Sequence, residues 1–95
     1  DINLGTATGA SCGAALQARL QACLEAKTEF TTAVNGRFKG GYITRHYGRP
    51  DAGVQAVQLE LAQVTYMDEA SFAYDEARAP AVQALIGRLL RICLD

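Results

Sequence analysis

Two groups of residues in this sequence have the types and spacing to do chemistry. From Val54 to Leu61 the apolar residues Val57, Leu59 and Leu61 alternate with Gln58 and Glu60. Successive side chains on a strand point to opposite faces, so Gln58 and Glu60 share the face turned away from the apolar set. A carboxylate held there can serve as a general base on water, tuned by burial and neighbours. The plainer alternative is a solvated or salt-bridged strand glutamate.

The second group is Thr44-Arg45-His46-Tyr47, set between Gly40-Gly41 and Gly48. From Arg37 to Arg49 the chain carries Arg37, Lys39, Arg45, His46 and Arg49 and no acid. An arginine grips a carboxylate through a planar two-bond fork, and a histidine or tyrosine beside it can orient a polar substrate. The competing reading is an exposed basic hairpin with Tyr42 and Tyr47 packed on a sheet. His46 is a poor metal ligand by itself, because a catalytic zinc takes three protein ligands and the chain has one histidine and no HExxH spacing. The string GRFKGGYIT lacks the spacing of a phosphate loop, and neither Ser11 nor Ser71 lies in a GxSxG context.

The elements that must position these groups follow from periodicity. Ala15, Leu16, Leu20, Cys23 and Leu24 recur at helical spacing from Ser11 to about Lys27, with Ser11 as the expected cap. Val82, Leu85, Ile86, Leu89, Leu90 and Cys93 predict a second helix, entered at Pro80 and carrying Arg88 and Arg91 near its end. Period-two patterns predict strands over Glu29 to Val34 and Val54 to Leu61. The glycine-rich stretch between them must turn repeatedly, with Tyr42 to Thr44 as a candidate short strand. This order predicts an α/β arrangement, a sheet with packed helices.

Ninety-five residues, 49% of them hydrophobic, allow one compact unit over 1–95. A net charge of -1 argues against a general nucleic-acid binder, whose affinity rests on many phosphate contacts. The longest apolar stretch, near Leu85 to Leu94, is broken by Gly87, Arg88 and Arg91 well short of the ~20 residues of a membrane span. The opening DINLGTATGASCG has neither an initiator methionine nor the order of a secretory signal, and reads as the continuation of a longer polypeptide. Cys12, Cys23 and Cys93 follow no metal or disulfide spacing and are expected as small buried apolar residues in a reducing cytoplasm.

The run NGRFKGGYITRHYGRPDAGVQAVQLELAQVTYMDE, Asn35 to Glu69, resembles the signature of the N-formylglutamate amidohydrolase family. The opening NLGTATGASC, Asn3 to Cys12, resembles the family's segment after its aspartate-alanine-histidine-serine metal motif. The resemblance implies a fragment of a zinc-carboxypeptidase-like three-layer fold and a cytoplasmic, zinc-dependent enzyme of histidine degradation. Such an enzyme cleaves the small molecule N-formyl-L-glutamate to formate and L-glutamate. It also implies that the zinc ligands lie upstream of Asp1, that Glu60 is the catalytic base, and that Arg45, with Thr44, His46 and Tyr47, binds substrate. Gln55 departs from the pattern, where family members commonly have histidine. The alternative is a non-catalytic small-anion module using Arg37, Lys39, Arg45 and Arg49.

The isolated 95 residues, with one histidine and scattered cysteines, are expected neither to bind zinc tightly nor to hydrolyse formylglutamate. Metal analysis after dialysis, together with an activity assay, checks this. Stoichiometric zinc with turnover would contradict it.

Overall fold

The structure is a computed structural model that describes residues 1–26 and 29–95. Its centre is β1 (Ile2–Gly5), with β2 (Thr32–Val34) parallel on one side and β3 (Gln58–Leu61) antiparallel on the other. Helix α1 (Ala14–Glu25) links β1 to β2, as a parallel pair requires a crossover. A short helix α2 (Tyr42–Tyr47) lies in the excursion before β3, and α3 (Ala79–Leu94) closes the chain. The architecture is α/β, a three-stranded mixed sheet with packed helices.

Register assigns the two faces of the sheet. Ile2 pairs with Leu61 and Leu4 with Leu59, and these residues belong to or pack against a core with Leu20 and Leu24 of α1 and Val82, Leu85 and Leu89 of α3. The intervening pairs, Asn3 with Glu60 and Gly5 with Gln58, therefore lie on the opposite face. The alternation expected over β3 thus separates Glu60 from the helical core. In α3 the buried positions Val82, Leu85 and Leu89 recur every three or four residues, and Pro80 sits in the first turn, where its missing N–H costs nothing.

Several expectations are corrected. The stretch Tyr42 to Thr44 is the start of a helix and not a strand. Helix α1 begins at Ala14 after Gly13, with no side-chain cap, and Ser11 is buried with its hydroxyl donating to the Ala56 carbonyl at 2.8 Å. Cys12 consequently precedes the helix. The strand expected over Glu29 to Val34 is confined to Thr32–Val34, because Glu29 and Phe30 lie in a turn and bend. That expected from Val54 begins only at Gln58, since Val54 instead forms an isolated bridge with Arg49. The helix end expected near Lys27 lies outside the described residues.

Among the cysteines only Cys12 is buried, and burial pushes its thiol up, with a smaller contribution from Cys93. Cys93 is exposed, contrary to the expectation of three buried thiols, because it lies at the end of α3. No described helix is long and apolar enough to cross a membrane.

Leu85 is fully buried at the junction of α1, α3 and the sheet. Leu85→Ala is expected to destabilise the protein by about 2–5 kcal/mol through lost burial and a residual cavity. The exposed Leu90 on the same helix should cost no more than about 0.5 kcal/mol when truncated. Denaturant unfolding of the two variants checks the difference.

Candidate functional site

The site begins at Gly5. A Cβ at this position would lie 2.9 Å from the Lys39 carbonyl carbon and 3.0 Å from the Gly40 nitrogen. The missing side chain lets the Lys39-Gly40 backbone settle on the end of β1, where the Ala7 N–H donates to the Lys39 carbonyl at 2.6 Å. Gly40 turns the chain with φ +121°, a conformation that side-chain-bearing residues rarely adopt, and a Cβ there would collide with the Thr44 hydroxyl.

This close approach places the start of α2 beside β3. The Gly41 N–H donates to Gln58 Oε1 at 2.8 Å, and Gln58 Nε2 donates to Glu60 Oε1 at 2.6 Å. One run of hydrogen bonds therefore joins the glycine-rich segment, Gln58 and the half-buried Glu60. Glu60 Oε2 has no hydrogen-bond donor among the described residues.

The four α2 residues divide into one inward and three outward. Thr44 is 2% exposed, and its hydroxyl donates to the Gly41 carbonyl at 2.8 Å, holding the first turn. Arg45 is exposed, with Nη1 donating to the Gly40 carbonyl at 2.9 Å and its other donors turned to solvent. His46 stacks on Tyr42, with ring centroids 4.7 Å apart and planes 15° from parallel, and meets Tyr47 edge-on at 4.7 Å. Residues four apart on a helix share a face, so Tyr42 and His46 stack as a consequence of the helix.

Glu60 lines an open groove of about 470 Å³ together with Asn3, Arg37 and Phe38. The Phe38 carbonyl accepts a hydrogen bond from Asn3 Nδ2, which draws the segment after β2 across the sheet face. Arg37 places its guanidinium 5.7 Å from the Phe38 ring centroid. The groove does not contain the α2 residues, which connect to Glu60 through Gln58. The strand pattern exposed the shared face of Gln58 and Glu60. The positions of Arg37 and Asn3 beside them were not visible, because they depend on the fold of the glycine-rich segment over β1.

Gln55 lies outside β3, and its side-chain oxygen accepts the Gly13 N–H at the start of α1. Its difference from the common histidine therefore falls on the helix entry. No three described His, Cys, Asp or Glu side chains are grouped so as to hold a metal ion.

A model of the N-formylglutamate amidohydrolase family matches residues 1–67. The chain belongs to the N-formylglutamate amidohydrolase family. It is 58% identical to an N-formylglutamate deformylase of Pseudomonas aeruginosa and 50% identical to one of Pseudomonas putida, over 99% of this chain in both cases. The chain spans 36% of the length of each. The crystal structure of N-formylglutamate amidohydrolase from Ralstonia eutropha JMP134 is similar, with a TM-score of 0.83 at 28% identity, over 97% of this chain and 32% of that one. The segment carrying α2 and β3 lies within the part of the chain that the family model matches.

Proposed function

We propose that this chain supplies the carboxyl-terminal part of a zinc-dependent amidohydrolase that converts N-formyl-L-glutamate to formate and L-glutamate. The observation that carries the reading is the hydrogen-bonded run from Gly41 through Gln58 to Glu60, which ties a carboxylate to a cationic segment in a chain of this family. In the proposed setting residues 1–95 form one unit of a zinc-carboxypeptidase-like three-layer fold. The enzyme works in the cytoplasm, in histidine degradation.

The described residues do not fit a metal centre by themselves, so the zinc ligands of this reading come from sequence outside the chain. The chain's own part is proton transfer and substrate binding. Glu60 Oε1 is held by Gln58, and Oε2 is available to take a proton from the attacking water. As the formyl carbon–nitrogen bond breaks, the same carboxyl returns the proton to the glutamate nitrogen, and formate leaves with the water oxygen. Arg45 retains free donors for a substrate carboxylate, His46 and Tyr47 offer polar edges beside it, and Thr44 fixes the turn that presents them.

The test is made in an enzyme of the relatives' full length that carries these residues. Glu60→Gln keeps shape and polarity but removes the base, so kcat should fall at least ~10²-fold with KM little changed. Arg45→Lys keeps the charge and loses the fork, so KM for formylglutamate should rise. Steady-state kinetics with metal content measured on the same samples check both. Near-parental kcat in Glu60→Gln with an intact metal complement would remove Glu60 from proton transfer.

A further inference from the structure

The geometry points to Gln58 as the positioning residue of this site, coupling the placement of α2 to the aim of the Glu60 carboxylate. This inference rests on the reading of Glu60 as the base. Two hydrogen bonds carry it, and both involve the same carboxamide.

A carboxamide offers an acceptor and a donor side by side without charge, independent of pH. The Gly41 N–H can only donate, so it takes Oε1 and leaves Nε2 directed at Glu60. Methionine would fill the space with neither bond. Glutamate would keep the acceptor for Gly41 and present a second carboxylate to Glu60. Lysine would offer donors alone. The chemistry of the position is therefore narrow, although a half-buried residue on the polar face of a strand ordinarily tolerates many side chains.

Strand geometry makes the coupling direct. Gln58 and Glu60 are two residues apart on β3, on one face, with Gly5 and Asn3 as their partners on β1. Gly5 has no side chain to separate Gln58 from the descending Lys39-Gly40 backbone, so the carboxamide reaches Gly41. The segment that carries Arg45 starts at Gly41. The placement of α2, and with it of Arg45, is thereby tied through one side chain to the group that handles the proton. The other ionisable groups lining the groove with Glu60 are Asp1 and Arg37, and neither is hydrogen-bonded to Gln58.

The experiment compares Gln58→Glu, Gln58→Met and Glu60→Gln in the full-length enzyme, with kcat, KM and the pH dependence of kcat/KM on N-formyl-L-glutamate. Gln58→Glu preserves the acceptor that anchors α2 and replaces the donor to Glu60 by a second carboxylate. With its head group against Glu60 the added like charge should move the acid limb of the profile to higher pH by about one unit or more, whereas a side chain turned away from Glu60 would leave the limb in place. Gln58→Met should lower kcat by about tenfold or more, through loss of aim, with a smaller change in KM. An acid limb at the parental pH in Gln58→Glu, or parental kcat in Gln58→Met, while Glu60→Gln is inactive, overturns the inference and leaves Glu60 as the base. Turnover retained in Glu60→Gln instead overturns the underlying reading.

Discussion

The close approach of the Lys39-Gly40 backbone to Gly5 is the constraint on which the site depends. A strand residue without a side chain admits a second backbone to the sheet face, and a glycine with positive φ then turns that backbone into α2. Every polar contact between the glycine-rich segment and β3 follows from that approach, including the Gly41 to Gln58 hydrogen bond. The buried Thr44 hydroxyl closes the same turn from within. A buried hydroxyl without a partner would be costly, so the bond to the Gly41 carbonyl ties the start of α2 to its own first turn.

The sheet divides labour between its faces. Ile2, Leu4, Leu59 and Leu61 belong to or pack against the helical core and bind the layers together, while on the other face Asn3 and Glu60 line the groove and Gln58 meets the glycine-rich segment. Because strand side chains alternate, the same four residues of β3 serve both purposes. A one-residue slip would bury Glu60 and expose Leu59, so the apolar core also enforces the orientation of the carboxylate. Stability and the candidate chemistry are thus linked through register.

The parts of this arrangement that were legible in the sequence are those written in a local period. The three-and-four rhythm of Val82, Leu85 and Leu89 identified α3, and the alternation around Leu59 put Gln58 and Glu60 together. Strand β1 carries no legible period, because INLG is only four residues and runs directly into Thr6, Ala7 and Thr8. Helix α2 was hidden by its own composition, since Ile43 and Thr44 are β-branched and Tyr42 and Tyr47 favour strands. Tertiary contact overrides that preference: Gly40 and Gly41 supply the entry, and the Thr44 hydroxyl and Gln58 hold it. Ser11 looked like a cap because of its type and position, yet its hydroxyl is spent on Ala56, 45 residues away. Such long-range partners leave no mark in the local pattern.

In the proposed function α2 and β3 form one functional unit, joined by Gln58, in which Arg45 holds a substrate carboxylate and Glu60 faces the scissile nitrogen. The most direct measurement is a crystal structure of the full-length enzyme with L-glutamate, the proposed product, bound. The expected result is a ligand carboxylate forked on the Arg45 guanidinium, with the ligand amine within hydrogen-bond reach of Glu60 and the Gly41–Gln58–Glu60 bonds retained. A ligand bound with Arg45 still directed only at the Gly40 carbonyl, and with Glu60 out of reach of its amine, would contradict that arrangement.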